Sequence, residues 1–168
     1  MIRKLLTLAS LPAIATLCAG ALASPTIASF ESDGMAKILA SEKGRPFLLL
    51  VWSLDCTFCH ASMKNLASAE NRDEFDVVAV AVEPADGPAN EEAITAATSK
   101  LGPKTTVLAF GDESPERLRY SIDPKWHGEL PRSYWYDADG RRLTAQSGLI
   151  TSANILEAKK RIKGLPAP

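Results

Sequence analysis

The chain has 168 residues, 46% of them hydrophobic, and its 19 lysines and arginines nearly balance 20 aspartates and glutamates for a formal charge of -1. Acids and bases are interspersed, so the electrostatic footprint of a nucleic-acid-binding protein is excluded. No low-complexity tract or internal repeat is visible, and the length suits one domain rather than two.

Met1 to Ala23 reads as a secretory signal. Arg3 and Lys4 make a basic start, Leu5 to Leu22 is apolar and rich in small residues, and Ala21-Leu22-Ala23 forms an A-x-A cleavage site that would leave Ser24 as the mature N-terminus. The alternative is an uncleaved membrane anchor, since the apolar stretch is near the lower limit for spanning a bilayer. Cys18 carries no chemistry in this reading, because Thr16-Leu17 stands where a lipoprotein signal has small residues. Removing residues 1-23 leaves residues 24-168 as one domain whose cysteines are a single pair, Cys56 and Cys59.

Periodicity and punctuation then set out the elements. Asp33-Gly34 caps a helix to about Ser41, with Met35, Ile38 and Leu39 on one face and Lys43-Gly44 as its stop. Pro46 to Trp52 is an apolar strand, and Thr57 to Ala69 has Met63 and Leu66 at helical spacing. Asp76 to Val82 is a continuous β-branched run, the pattern of a strand covered on both faces and paired in parallel across the helix. Glu83 to Pro88 is irregular, and a helix opens at Asn90-Glu91-Glu92 and ends near Gly102-Pro103. Thr105 to Phe110 is a strand, and Ser114-Pro115-Glu116 starts a short helix to about Ser121. Arg132 to Tyr136 and Arg141 to Gln146 form a hairpin about Asp137-Ala138-Asp139-Gly140, and Thr151 to Ile162 is a closing helix with Ile155, Leu156, Lys159 and Ile162 one turn apart. This order argues for an α/β domain with helices on both faces of the sheet.

The chemistry sits where the first long strand meets its helix. Cys56-Thr57-Phe58-Cys59 follows Trp52 directly, so the strand delivers the first thiol to a helix start, where unpaired N-H groups and the macrodipole favour a thiolate. A C-x-x-C pair so placed is suited to thiol-disulfide exchange.

The stretch LLLVWSLDCTFCHASMKNL, Leu48 to Leu66, resembles the active-site segment of thioredoxin-fold proteins, in particular the TlpA/ResA-type periplasmic thiol-disulfide oxidoreductases. Trp52 and Met63 occupy positions characteristic of that branch, four residues before the first cysteine and four after the second. Gly128 to Gly140 is similar to the family's strand after a cis-proline followed by a hairpin, and residues 83 to 103 match its inserted helix. The resemblance implies a thioredoxin fold: a central mixed sheet, helices on both faces and a helical insertion between central strands. It implies no cofactor beyond a redox-active Cys56-Cys59 disulfide, with Cys56 attacking and Cys59 resolving a mixed disulfide. It also implies a cis Pro131 beside the dithiol, leaving the Leu130 backbone free to pair with an extended substrate, and Trp126-His127 close to the groove.

Departures from the family pattern bear on direction. Asp55 stands where the family has a tryptophan. It either raises the Cys56 thiol pKa, favouring a reductant, or caps the helix by accepting from backbone N-H groups. Leu50 replaces the buried acid of many thioredoxins, which leaves Glu83, at the end of the Val77 to Val82 strand, as the candidate proton acceptor. His60, four residues beyond Cys56, is either a support for the thiolate or plain surface, and Trp52 and Tyr134 to Tyr136 read as core.

Client proteins with oxidised cysteine pairs are the expected partners, of the apocytochrome c or copper-site kind by resemblance, with a membrane-bound thiol reductant as electron donor. The expected location is the periplasm, with contact to the membrane only if the signal is kept. Two alternatives stay open. One is a copper chaperone using Cys56, Cys59, His60 and His127, although such chaperones space their cysteines wider; the other is a disulfide oxidase or isomerase. Zinc is weaker, since adjacent Cys59 and His60 suit a tetrahedral site poorly.

Overall fold

The computed structural model describes residues 27–69 and 72–165, so the leader reading of residues 1–23, Cys18 included, lies outside the described residues. In chain order the elements are β1 (Ala28–Phe30), α1 (Gly34–Ser41), β2 (Phe47–Trp52), α2 (Thr57–Ala67), β3 (Asp76–Ala81), α3 (Pro88–Thr98), β4 (Thr105–Phe110), α4 (Pro115–Ile122), β5 (Arg132–Tyr136), β6 (Arg142–Ser147) and α5 (Ser152–Ile162). Single turns of 3-10 helix lie at Arg72–Glu74 and Ser99–Leu101.

The strands form one six-stranded sheet in the order β1-β4-β3-β2-β5-β6. β1, β4, β3 and β2 pair in parallel, whereas β2 with β5 and β5 with β6 pair antiparallel. Every residue of β2 is buried because β2 lies inside the sheet with a helical layer on each face. Its period of two divides it between two cores. Leu48, Leu50 and Trp52 pack with Cys59, Met63 and Leu66 of α2, Ile94 of α3 and Ile155 of α5. Phe47, Leu49 and Val51 pack with Ile38 of α1 and Leu118 and Ile122 of α4. Each such side chain contributes about 1.5–3 kcal/mol on burial, which fixes β2 firmly as the platform beneath the cysteines.

Differences from the sequence expectations are local. The strand β1 was not foreseen: Ala28-Ser29-Phe30 is too short to show a period and is extended because it pairs with the edge of β4. Asp33 does not cap α1 through its side chain, which pairs instead with Lys37 at 2.8 Å. Gly34 is required there because a Cβ would collide with the ring of Phe30. Helix α3 begins at Pro88, two residues before Asn90, since a proline at the first helical position has no N-H to lose. On α5, Leu156 is exposed and Ala158 takes the core position. The hairpin turn forms as expected, with Asp137 Oδ1 accepting from the N-H groups of Asp139 and Arg141. No helix among the described residues is long and apolar enough to cross a membrane.

Candidate active site

β2 ends at Trp52, three loop residues follow, and Cys56 is the N-cap of α2 with extended backbone, φ -90° and ψ 100°. Cys56 and Cys59 are joined as a disulfide, their Cα atoms 5.2 Å apart. The Cys59 N-H donates to Cys56 Sγ at 3.1 Å and to the Cys56 carbonyl at 2.9 Å, so an amide in the first turn of the helix points at the outer sulfur. That amide is positioned to stabilise a thiolate at Cys56 when the pair is reduced. Cys56 is half-buried and Cys59 is wholly buried in the core beneath α2, which fits an outer attacking sulfur and an inner resolving one. The cap belongs to Cys56, and the capping reading of Asp55 is corrected: its side chain is exposed, and its own N-H donates to Ser53 Oγ.

Glu83 lies two residues beyond the end of β3 and reaches the loop that leads into Cys56. Its Oε1 accepts from Ser53 Oγ at 2.6 Å and from the Leu54 N-H at 3.1 Å. Its Oε2 is buried and has no hydrogen-bond partner among the described residues. The Ser53 carbonyl in turn accepts from the Cys56 N-H at 3.2 Å. Glu83 therefore holds the cysteine loop through Ser53 while keeping one carboxylate oxygen uncommitted. Ser53 escaped the sequence reading because its partner is thirty positions away and joins it only when β2 and β3 pair.

His60 is exposed, and its ring Nε2 donates to the Leu54 carbonyl at 2.7 Å while the ring lies edge-to-face with Trp52, ring centres 6.1 Å apart. The imidazole braces the same loop from the helix side. Cys56 to His60 also has the C-x-x-C-H spacing of covalent haem attachment. With Cys59 wholly buried and the imidazole turned onto Leu54, the sulfurs and the ring nitrogen do not share one open face. Among the described residues no three or more His, Cys, Asp and Glu side chains group to hold a metal ion.

The Leu130–Pro131 bond is cis, and Pro131 is buried. Arg132 pairs in register with Val51, which sets Leu130-Pro131 beside the end of β2, and Leu130 packs, like Cys56, against the core that holds Cys59. Trp126 is buried, and its indole N-H donates to the Glu129 carbonyl at 2.9 Å. It shapes the loop before the proline from within, with its ring almost fully covered. Phe58, between the two cysteines, is the aromatic that stands outside, 61% exposed.

Both ends of this loop meet one carboxylate. Asp123, buried at the end of α4, accepts from the Lys125 N-H at 3.1 Å, from Arg132 at 3.2 Å and from Arg142 at 3.3 Å. Burial works against the Asp123 charge, but the Lys125 N-H and the two guanidiniums outweigh it and hold the carboxyl below its ordinary value. The two guanidiniums also lie over the ring of Tyr134, at 4.9 and 5.6 Å from its centre. Burial pushes the Tyr134 phenol up to about 12, against the pull of Arg132. Asp123, Arg132 and Arg142 belong to no motif, and only the closed hairpin brings them together.

No protein-family model matches the sequence, and no curated protein matches it significantly. Solved structures do match. A secreted Mycobacterium tuberculosis disulfide oxidoreductase homologous to E. coli DsbE is 22% identical, over 75% of this chain and 86% of its own, with a TM-score of 0.52. An exposed lipoprotein thioredoxin from Streptococcus pneumoniae is 20% identical over 76% and 90% of the two chains, also with a TM-score of 0.52. The thioredoxin domain of a Bacteroides vulgatus thiol-disulfide oxidoreductase is 15% identical over 74% and 84%, with a TM-score of 0.53. With a mixed six-stranded sheet, a C-x-x-C pair at the mouth of α2 and these structural neighbours, the chain has the thioredoxin-like fold.

Proposed function

We propose that this protein is a thiol-disulfide oxidoreductase of the periplasm that reduces disulfides in client proteins. The observation that carries the reading is the Cys56–Cys59 disulfide, with its outer sulfur on a helix N-cap and its inner sulfur in the core. In the reduced protein, Cys56 attacks one sulfur of a client disulfide as a thiolate, forming a Cys56-client disulfide while the other client sulfur leaves as a thiolate and takes a proton. Cys59 gives up its proton and attacks Cys56 Sγ, and the second client thiol departs. Two electrons pass to the client, and the Cys56–Cys59 disulfide remains.

Glu83 is the residue we assign as acceptor of the Cys59 proton, on the strength of its uncommitted Oε2. The backbone at Leu130, before the cis proline, is the assigned docking edge for an extended client segment. Asp55, exposed beside Cys56, favours the reductant direction, since its charge opposes a second negative charge on that sulfur. Clients of the apocytochrome c or copper-site kind, and a membrane-bound thiol reductant that recharges the pair, follow from resemblance to the TlpA/ResA branch. The signal reading of residues 1-23 supports the location.

The test is a Cys59→Ser variant mixed with insulin. It should accumulate a covalent Cys56-insulin adduct that dithiothreitol releases, where the wild type turns insulin over. Submicromolar Cu(I) retention with no exchange would put the copper-chaperone reading in its place. A Cys56–Cys59 potential far above about -200 mV would make the protein an oxidase or isomerase instead.

A further inference from the structure

We infer that Asp123 is a positioning residue for client recognition: through Arg132 it fixes the segment from Asp123 to Pro131, and so sets where the Leu130 backbone meets a client strand. The inference rests on the exchange reading above and adds a residue that touches neither sulfur.

Asp123 holds this loop at both ends. At its start, Oδ1 accepts from the Lys125 N-H, and the Asp123 carbonyl accepts from the Trp126 N-H at 3.0 Å. At its finish, Oδ2 pairs with Arg132, the residue directly after the cis proline. Arg142, across the hairpin on β6, pairs with the same oxygen, and Arg132 also donates to Ser147 Oγ at 2.9 Å. From the inside, the Trp126 indole holds the Glu129 carbonyl. Just past β6, the Gly148 N-H donates to the Pro131 carbonyl at 2.8 Å. The loop is thus tied at its start, at its finish and through the Trp126 indole, with half-buried Leu130 just before the cis proline.

A buried carboxylate and a partly buried guanidinium gain little over apolar packing for stability alone, and their clearest contribution is to define a single geometry. Here that geometry is the placement of Leu130 relative to the end of β2, which delivers Cys56. A docking edge made of backbone depends on such placement, because its hydrogen bonds have a narrow range of distance and angle. A small disulfide that reaches Cys56 without laying a strand along Leu130 does not depend on it.

Asp123→Asn keeps the shape and removes the charge that holds Arg132. In steady-state insulin reduction with dithiothreitol recycling the dithiol, its KM for insulin should rise about tenfold while kcat changes much less. Its rate with the small aromatic disulfide dithiobis(nitrobenzoate) should stay within about twofold of wild type, on the same basis of placement rather than chemistry. Asp123→Glu should recover part of the insulin KM. Equal losses on both substrates, or an unchanged insulin KM, would overturn the inference. If Asp123→Asn does not fold, Arg132→Gln, which removes the guanidinium through which Asp123 acts, decides it: the insulin KM must rise with the small-disulfide rate intact, and no rise counts against the inference. Failure of the wild type to reduce insulin at all would instead remove the exchange reading.

Discussion

Substitution of Glu83 separates holding the cysteine loop from accepting a proton. Glu83→Ala removes both hydrogen bonds that Oε1 makes, to Ser53 Oγ and to the Leu54 N-H. Bonds to a charged acceptor contribute about 1.5–3 kcal/mol each, and the half-buried setting argues for the lower figure, so the loss is about 3 kcal/mol. For a domain of this size that lowers Tm by roughly 10 °C. Glu83→Gln keeps a carbonyl acceptor but no charge, and neutral bonds recover part of the loss, leaving a deficit of about 1–2 kcal/mol. The chemistry sorts the variants differently. Neither can take the Cys59 proton, so both should resolve the Cys56-insulin disulfide about 100-fold more slowly at pH 7, the lower range of general-base contributions. Calorimetry and quenched-flow trapping of the adduct read the two effects independently. A Glu83→Ala protein with wild-type Tm would refute the role as loop anchor, and a Glu83→Gln protein with wild-type resolution would refute the role as proton acceptor.

Two buried acids should give opposite pH responses. Asp123 is held below its ordinary value in the folded state, so its contribution is fully present above the usual aspartate range and is lost as pH falls through the lowered value. Asp123→Asn should therefore be less stable than wild type by about 3 kcal/mol near neutrality, with the gap closing in acid, as urea titrations at several pH values would record. Burial raises the Glu42 carboxyl, against the attraction of Arg45, which lies 3.1 Å away and also pairs with Asp76. A raised acid contributes stability below the ordinary glutamate value and loses it as pH rises through the raised one, so Glu42→Gln should match or exceed the wild-type Tm at pH 7. A large loss of Tm in that variant would mean that the Arg45 pairing outweighs the cost of burying the charge.

What could be read in the sequence was what local pattern encodes. The run from Phe47 to Trp52 followed by C-x-x-C placed the sulfurs on a strand-to-helix junction, and Leu130-Pro131 ahead of a hairpin located the loop beside it. Both depend on neighbours in sequence. β1 could not be read, because Ala28-Ser29-Phe30 is extended only in the presence of β4. The cap at Cys56 was ambiguous, since aspartate is the better N-cap by side-chain preference and only the backbone turn decides which residue takes the position. Ser53 with Glu83, and Asp123 with Arg132 and Arg142, are contacts across the fold. No spacing encodes them, although both hold loops of the site.

The margins of the sheet give the molecule a directional way of meeting other chains. One border is the three-residue β1, too short to nucleate a foreign ladder, and the other is β6, whose outer run Arg142 to Ser147 carries charge and polar groups and slips register beside Tyr136. An unfolded polypeptide seeking hydrogen bonds is thus offered little along either flank. On the exchange reading proposed above, a client is directed instead to the end of the sheet where Cys56 lies, and copies of the chain gain no edge on which to polymerise.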